Sequence, residues 1–130
     1  MLTLDAADRF DMAEVYGPVP PLVWSLLLHQ LGAGLSFAFR VPSGAPVAVG
    51  GYVPWTARDC WELWFHARPE AAAHTLGLVR LARLTLDALP HCDPRPVEAA
   101  VTTPAGRRLA RAIGMERVAV VGSVEIWRRA

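Results

Sequence analysis

The chain has 130 residues, enough for one domain with a single sizeable core. Hydrophobic residues reach 53% and charged residues only 19%, which favours a well-buried core or a surface partly hidden against a partner. The formal net charge of +1 removes the case for a nucleic-acid or anionic-membrane partner. Every basic residue is arginine, which together with abundant alanine and proline reads as a GC-rich coding sequence. Cys60 and Cys92 have no metal-like spacing, and no secretory leader precedes them, so reduced thiols in a cytoplasmic protein are expected. The apolar run Leu22–Leu28 falls far short of the roughly 20 residues of a membrane span.

In chain order, Met1–Leu4 reads as a short first strand. Asp5 or Asp8 then caps a helix to about Tyr16, with its acidic residues toward the favourable end. Gly17-Pro-Val-Pro-Pro21 breaks it. Leu22–Leu31 forms a second, very apolar helix, with Pro21 in its first turn and Gly32 or Gly34 as its stop. Leu35–Val41 alternates weakly as a strand, Pro42–Pro46 is a hairpin turn, and Val47–Val53 returns antiparallel to end at Pro54.

Thr56-Ala-Arg58 turns the chain into a strand over Asp59–His66. There Cys60, Glu62, Trp64 and His66 share one face, and Trp61, Leu63 and Phe65 the other. Ala71–Leu89 is a long helix with Leu76, Val79, Leu86 and Leu89 near helical spacing. Arg80, Arg83 and Asp87 form a polar stripe on it with one i,i+4 pair. Pro90–Pro96 is a loop, Val97–Thr102 a strand, and Thr103–Gly114 a short basic helix with a glycine stop. Arg117–Val121 and Ser123–Trp127 are closing strands. The order predicts a single α/β domain over residues 1–130, a mixed sheet with helices on both faces.

This order of elements resembles the GCN5-related N-acetyltransferase (GNAT) superfamily over nearly the whole length, and best from Gly44 to Gly114. Val47-Ala-Val-Gly-Gly-Tyr-Val53 is similar to the family's third strand. Glu98–Thr102, followed by an Arg-rich helix ending Ala112-Ile-Gly-Met115, is similar to its late strand–helix segment, with Met115 in place of phenylalanine. The resemblance implies a splayed central sheet of six to seven strands, opened between Asp59–His66 and Val97–Thr102 so that pantetheine can pair with backbone groups. It also implies transfer of an acetyl or other acyl group from acetyl-CoA to an amine, on a small molecule or a protein.

In that family the CoA pyrophosphate rests on the N-terminus of the long helix, at a Q/R-x-x-G-x-G/A signature, where amides and helix dipole hold it. The register here is Arg68-Pro-Glu-Ala71-Ala72-Ala73, so the resemblance assigns Arg68, Ala71, Ala72 and Ala73 to the cofactor. Ala71 stands where the first glycine would be and loses the closest approach of phosphate to backbone. Glu70 places an acid in the same turn, where it satisfies the dipole and repels a pyrophosphate. An ordinary helix start is the alternative at this position. Arg107, with Arg108 and Arg111, falls where the family holds the CoA 3′-phosphate, although an exposed basic helix face is the simpler account.

The family often carries its general base as a glutamate on the fourth strand. Glu62 is there, on the same face as His66, and two such groups can shift each other's pKa and take a proton from an amine. The alternative is that Glu62 pairs with an arginine and His66 closes the strand. Ala110 occupies the position where the family often has a tyrosine acid for the departing thiolate, and Thr103 that of its asparagine. The acid would then be another group or water.

A narrower resemblance is to small GNAT-like proteins encoded by tailed phages. It rests on the acidic helix Asp8–Glu14, Gly50-Gly-Tyr-Val-Pro54 and Arg107-Arg-Leu-Ala-Arg-Ala-Ile-Gly114. It implies the alternative function, a non-catalytic interaction module or virion-associated component, which could form homo-oligomers. His29, His66, His74 and His91 make no metal spacing, so no metal site is expected. Trp61 and Trp127 are expected in the core. Trp55, Trp61 and Trp64 lie around one strand and could line a pocket for an apolar acceptor, with Trp61 and Trp64 on opposite faces.

Overall fold

The structure is a computed structural model that describes residues 1–129. Seven strands and four helices follow in the order read from the sequence: β1 (Thr3–Ala6), α1 (Arg9–Tyr16), α2 (Pro21–Ala33), β2 (Leu35–Arg40), β3 (Pro46–Trp55), β4 (Cys60–Ala67), α3 (Thr75–Cys92), β5 (Val97–Val101), α4 (Pro104–Ala112), β6 (Met115–Val121) and β7 (Val124–Arg129). Short 3₁₀ helices occupy Thr56–Arg58 and Pro69–His74. The strands order as β1-β2-β3-β4-β5-β7-β6. The sheet is mixed, because β4 and β5 pair in parallel while β1–β2, β2–β3, β5–β7 and β6–β7 are antiparallel. The parallel ladder holds two pairs, Trp61↔Val97 and Glu62↔Glu98, with Leu63–Ala67 beyond it.

Two compact units divide the chain: Met1–Val53 with Trp64–Leu78, and Pro54–Leu63 with Val79 onward. In the first unit Asp8, not Asp5, caps α1. Its carboxylate accepts from Asp11 N–H at 2.9 Å while Asp11 accepts from Asp8 N–H at 2.9 Å. Asp5 is instead bound by Arg40 at 2.8 Å, and the same guanidinium grips both oxygens of buried Asp11, each at 2.8 Å. Burial alone would raise the Asp11 carboxyl, but the Arg40 and Asp8 hydrogen bonds bring it below its ordinary value. The first strand lies two residues later than the sequence suggests, because pairing with Phe37–Arg40 of β2 selects Thr3–Ala6.

α2 opens on Pro21, where the missing N–H costs no helical bond. Its stop is Gly34, and Gly32 lies inside the helix. A side chain at Gly34 would sit 1.9 Å from Tyr52 O, so the close approach of this turn to β3 requires glycine. The first unit's core joins Met12, Val15, Leu27, Ala38, Val49 and Trp64, with Tyr16 and Trp24 packed against it.

In the second unit, Thr103 caps α4 through its hydroxyl on Gly106 N–H at 3.0 Å, and Gly114 leaves the helix at φ 93°. The long helix departs from the sequence reading at both ends. It begins as a 3₁₀ segment, with α geometry only from Thr75, and it continues over Pro90 to Cys92 instead of yielding to a loop. Pro90 cannot donate to Leu86 O, the carbonyl four residues earlier. The Arg129 guanidinium donates to that carbonyl instead and also pairs with Asp87 at 2.9 Å. This explains why Asp87 is bound to Arg129, whereas an Arg83 partner was expected. Leu78, Leu86 and Leu89 form the buried side of α3, and Leu76, expected there, is 64% exposed.

Candidate active site

β4 carries the candidate base. Along the face set by strand alternation, Cys60 and Trp64 are buried, Glu62 is half-buried and His66 is exposed. Among the described residues Glu62 has no hydrogen-bond or ion-pair partner, and burial raises its carboxyl above the ordinary range. It lies beside Glu98 in the parallel ladder of the second unit.

Glu98 is the residue that the sequence reading missed. It is completely buried, and two arginines hold it: Arg58 at 2.6 and 2.9 Å, and Arg128 at 3.0 and 2.7 Å. The Cys60 thiol lies 3.8 Å away. The Arg58 hydrogen bonds, then those of Arg128, outweigh burial and keep the Glu98 carboxyl below its usual range. Burial, followed by the Glu98 charge, pushes the Cys60 thiol up. The signal available in sequence was an acid inside the apolar run Val97-Glu-Ala-Ala-Val101, since a buried carboxylate demands basic partners. Two neighbouring carboxylates are therefore pushed in opposite directions, one locked as an anion by arginine and one left unpaired.

His66 belongs to the first unit and Glu62 to the second, so each has its own surroundings. The imidazole of His66 lies flat on the Tyr16 ring, with centroids 4.1 Å apart and planes within 9°. Partial desolvation of the ring, in a residue otherwise exposed, lowers the His66 pKa from its ordinary value. Arg68 immediately precedes the 3₁₀ segment, its own N–H donating to Val47 O at 2.8 Å. Its side chain bridges Glu14 and Glu70, each at 3.2 Å. Glu70, expected to repel a phosphate, is thus partly neutralised by Arg68.

A 3₁₀ segment uses its amides one residue sooner than an α-helix, and Ala71 N–H already donates to Arg68 O at 3.0 Å. Ala71 is buried, while Ala72 and Ala73 are exposed. The α-helical N-terminus expected at Ala71 is consequently a tighter turn whose amides are engaged from Ala71 onward.

Arg107 is joined to Glu125 at 3.1 Å, and Glu125 also accepts from Arg117 at 3.2 Å and Trp127 Nε1 at 3.0 Å. These bonds, Arg107 first, hold Glu125 below its ordinary pKa. Arg111 lies over the Trp127 ring at 5.8 Å. Ala110 is buried, so the position expected to carry a tyrosine packs into the core. Trp127 is buried as expected, and Trp64 joins the first unit's core. Trp61 is half-buried beneath Arg95, 4.6 Å from its ring. Among the described residues no acid, histidine or cysteine cluster is placed to hold a metal, and no helix is long and apolar enough to cross a membrane.

No protein-family model matches the sequence, and no curated protein matches it. Solved structures do resemble it. A GNAT superfamily phosphinothricin acetyltransferase from Sinorhizobium meliloti, in complex with AcCoA, is 18% identical at TM-score 0.76, covering 98% of this chain and 87% of that one. A spermidine N-acetyltransferase chimera of Vibrio cholerae SpeG and hSSAT is 13% identical at TM-score 0.71, covering 98% and 94%. A mutant of Vibrio cholerae spermidine N-acetyltransferase SpeG is 13% identical at TM-score 0.70, covering 98% and 92%. At these identities the likeness is one of fold, and the fold is that of the GNAT acetyltransferases.

Proposed function

We propose that this chain is an acyl-CoA-dependent N-acyltransferase in which Glu62 is the general base for an amine acceptor. The observation that carries the reading is the neighbouring pair on β4 and β5. Glu98 is fixed as an anion by two arginines, while unpaired Glu62 has a pKa raised by burial. Pairs of groups whose environments drive their pKa values apart are the mark of acid–base assignment. Glu62 takes the proton of the acceptor's ammonium and frees the nitrogen lone pair. Ala110 supplies no hydroxyl, so another group or water would protonate the departing thiolate.

The similar structures named for spermidine and phosphinothricin support an amine as the acceptor class. The AcCoA complex supports acetyl-CoA as the cofactor, whose role when bound is to supply the activated acyl thioester. The residues at Arg68–Ala73 fit a pyrophosphate through charge more than through an amide cradle. The partly exposed Arg68 guanidinium remains, whereas the amides from Ala71 onward lie within the 3₁₀ segment. Arg107 reaches a 3′-phosphate only by sharing its charge with Glu125.

Glu14 and Glu70 compete with phosphate for Arg68. Removing both in Glu14→Ala/Glu70→Ala is therefore expected to tighten acetyl-CoA binding by roughly three- to tenfold, the range of two weak surface ion pairs. Isothermal titration measures it, and a weakened affinity would remove Arg68 from the cofactor site. The activity itself is tested by thiol release from acetyl-CoA with a panel of amines that includes spermidine and phosphinothricin. Amine-dependent release is expected.

A second reading, a non-catalytic interaction module, is favoured by the double clamp on Arg68 and the buried Ala110. Cofactor binding without release on any amine would select it.

A further inference from the structure

We infer that Tyr16 is a positioning residue for His66, holding its imidazole flat with its ring nitrogens open to accept a proton. Its use in catalysis rests on the acyltransferase reading, whereas the positioning rests on the first unit alone. Tyr16 is the last residue of α1, where Gly17, at φ 69°, turns the chain away and its N–H closes the helix on Ala13 O at 2.9 Å. The phenol ring packs against the buried cluster of Met12, Val15, Leu27, Ala38, Val49 and Trp64, so its place is fixed from below. His66 stands at the exposed end of β4, where an unsupported imidazole would rotate freely. It instead stacks on Tyr16 with centroids 4.1 Å apart and planes within 9°.

The charged groups nearby do not engage the imidazole. Glu14 of α1 and Glu70 both bind Arg68, and Glu62 precedes His66 by four residues on β4. Among the described residues no carboxylate forms an ion pair with His66, so nothing there favours the imidazolium. Burial favours the neutral ring, and the Tyr16 phenol, itself raised by burial, stays protonated. A neutral imidazole held in one orientation, with no hydrogen bond to satisfy, is suited to accept a proton.

The test is an NMR pH titration of the full chain as wild type, Tyr16→Phe and Tyr16→Leu, alongside the pH profile of kcat/KM. In the wild type the His66 ring protons should show an upfield ring-current shift absent from His29, His74 and His91. His66 should titrate below its ordinary 6.5. Tyr16→Phe keeps both properties and the activity profile. Tyr16→Leu returns the His66 titration to the ordinary value. The inference is overturned if wild-type His66 shows no ring-current shift, a result that needs no variant to fold. It is equally overturned if Tyr16→Leu titrates as wild type, or if Tyr16→Phe behaves as Tyr16→Leu. Should the wild type release no thiol with any amine while the titration moves as described, the acyltransferase reading fails and the positioning of His66 stands.

Discussion

Glu62→Gln should lower kcat/KM by at least about 100-fold while leaving acetyl-CoA affinity within about twofold, the pattern of a lost general base. The substitution keeps the shape of the side chain and removes only its capacity to accept a proton. It breaks no ion pair, because Glu62 has none among the described residues, so a folding defect would not mimic the result. The pH profile adds a second reading of the same event. Burial raises the Glu62 carboxyl above its ordinary 4.5, which places the acid limb of the wild-type profile above that value. The Glu62→Gln variant should lose this limb. Thiol-release kinetics and calorimetry on the same preparation separate the two effects, and undiminished turnover would make Glu62 a structural residue.

The largest effect on stability is expected at the neighbouring carboxylate. Glu98→Gln should destabilise the fold by about 2–3 kcal/mol, below the full cost of stranding a buried charge. The discount follows from the exposure of the partners, since the Arg58 and Arg128 side chains are 45% and 46% exposed and can turn to water. Removing both arginines instead strands the carboxylate in a fully buried site and should cost more. Chemical denaturation of the three proteins gives the order, and equal losses would contradict it.

The sign of the pH dependence follows from the same contacts. The folded pKa of Glu98 lies below its ordinary 4.5, so its contribution is fully present above that value and disappears as pH falls through the lowered one. Glu98→Gln should therefore flatten the acid side of the stability curve.

The element order was legible because each piece is locally marked. Asp8 sits three residues before Asp11, Pro21 and Gly34 bracket an apolar run, and Thr103-Pro104 opens the basic helix that Gly114 ends. The signals that failed were those in which a distant residue changes a local rule. Pro90 should have ended α3, but a guanidinium from the last strand replaces the donor that proline lacks at Leu86 O. The start of the long helix looked α-helical from its alanines, whereas Pro69 opens a 3₁₀ segment that engages Ala71 N–H at once.

The candidate site divides in the same way. Glu62 was readable from its strand, because alternation places it on a definite face. What makes it a poised base is the contrast with Glu98, and that depends on register between two strands far apart in sequence. The stack of Tyr16 on His66 was equally hidden, since nothing in either local sequence announces the other. Arg68 was found by motif, but its clamp by Glu14 required α1 to fold back beside it.

The central claim is that this scaffold binds acetyl-CoA, and direct calorimetric titration of the wild-type chain tests it most simply. A saturable heat is expected, with Kd on the order of 10–100 µM, inside the usual range for enzyme substrates, and with a matching rise in Tm. No heat and no thermal shift at millimolar acetyl-CoA would contradict the account.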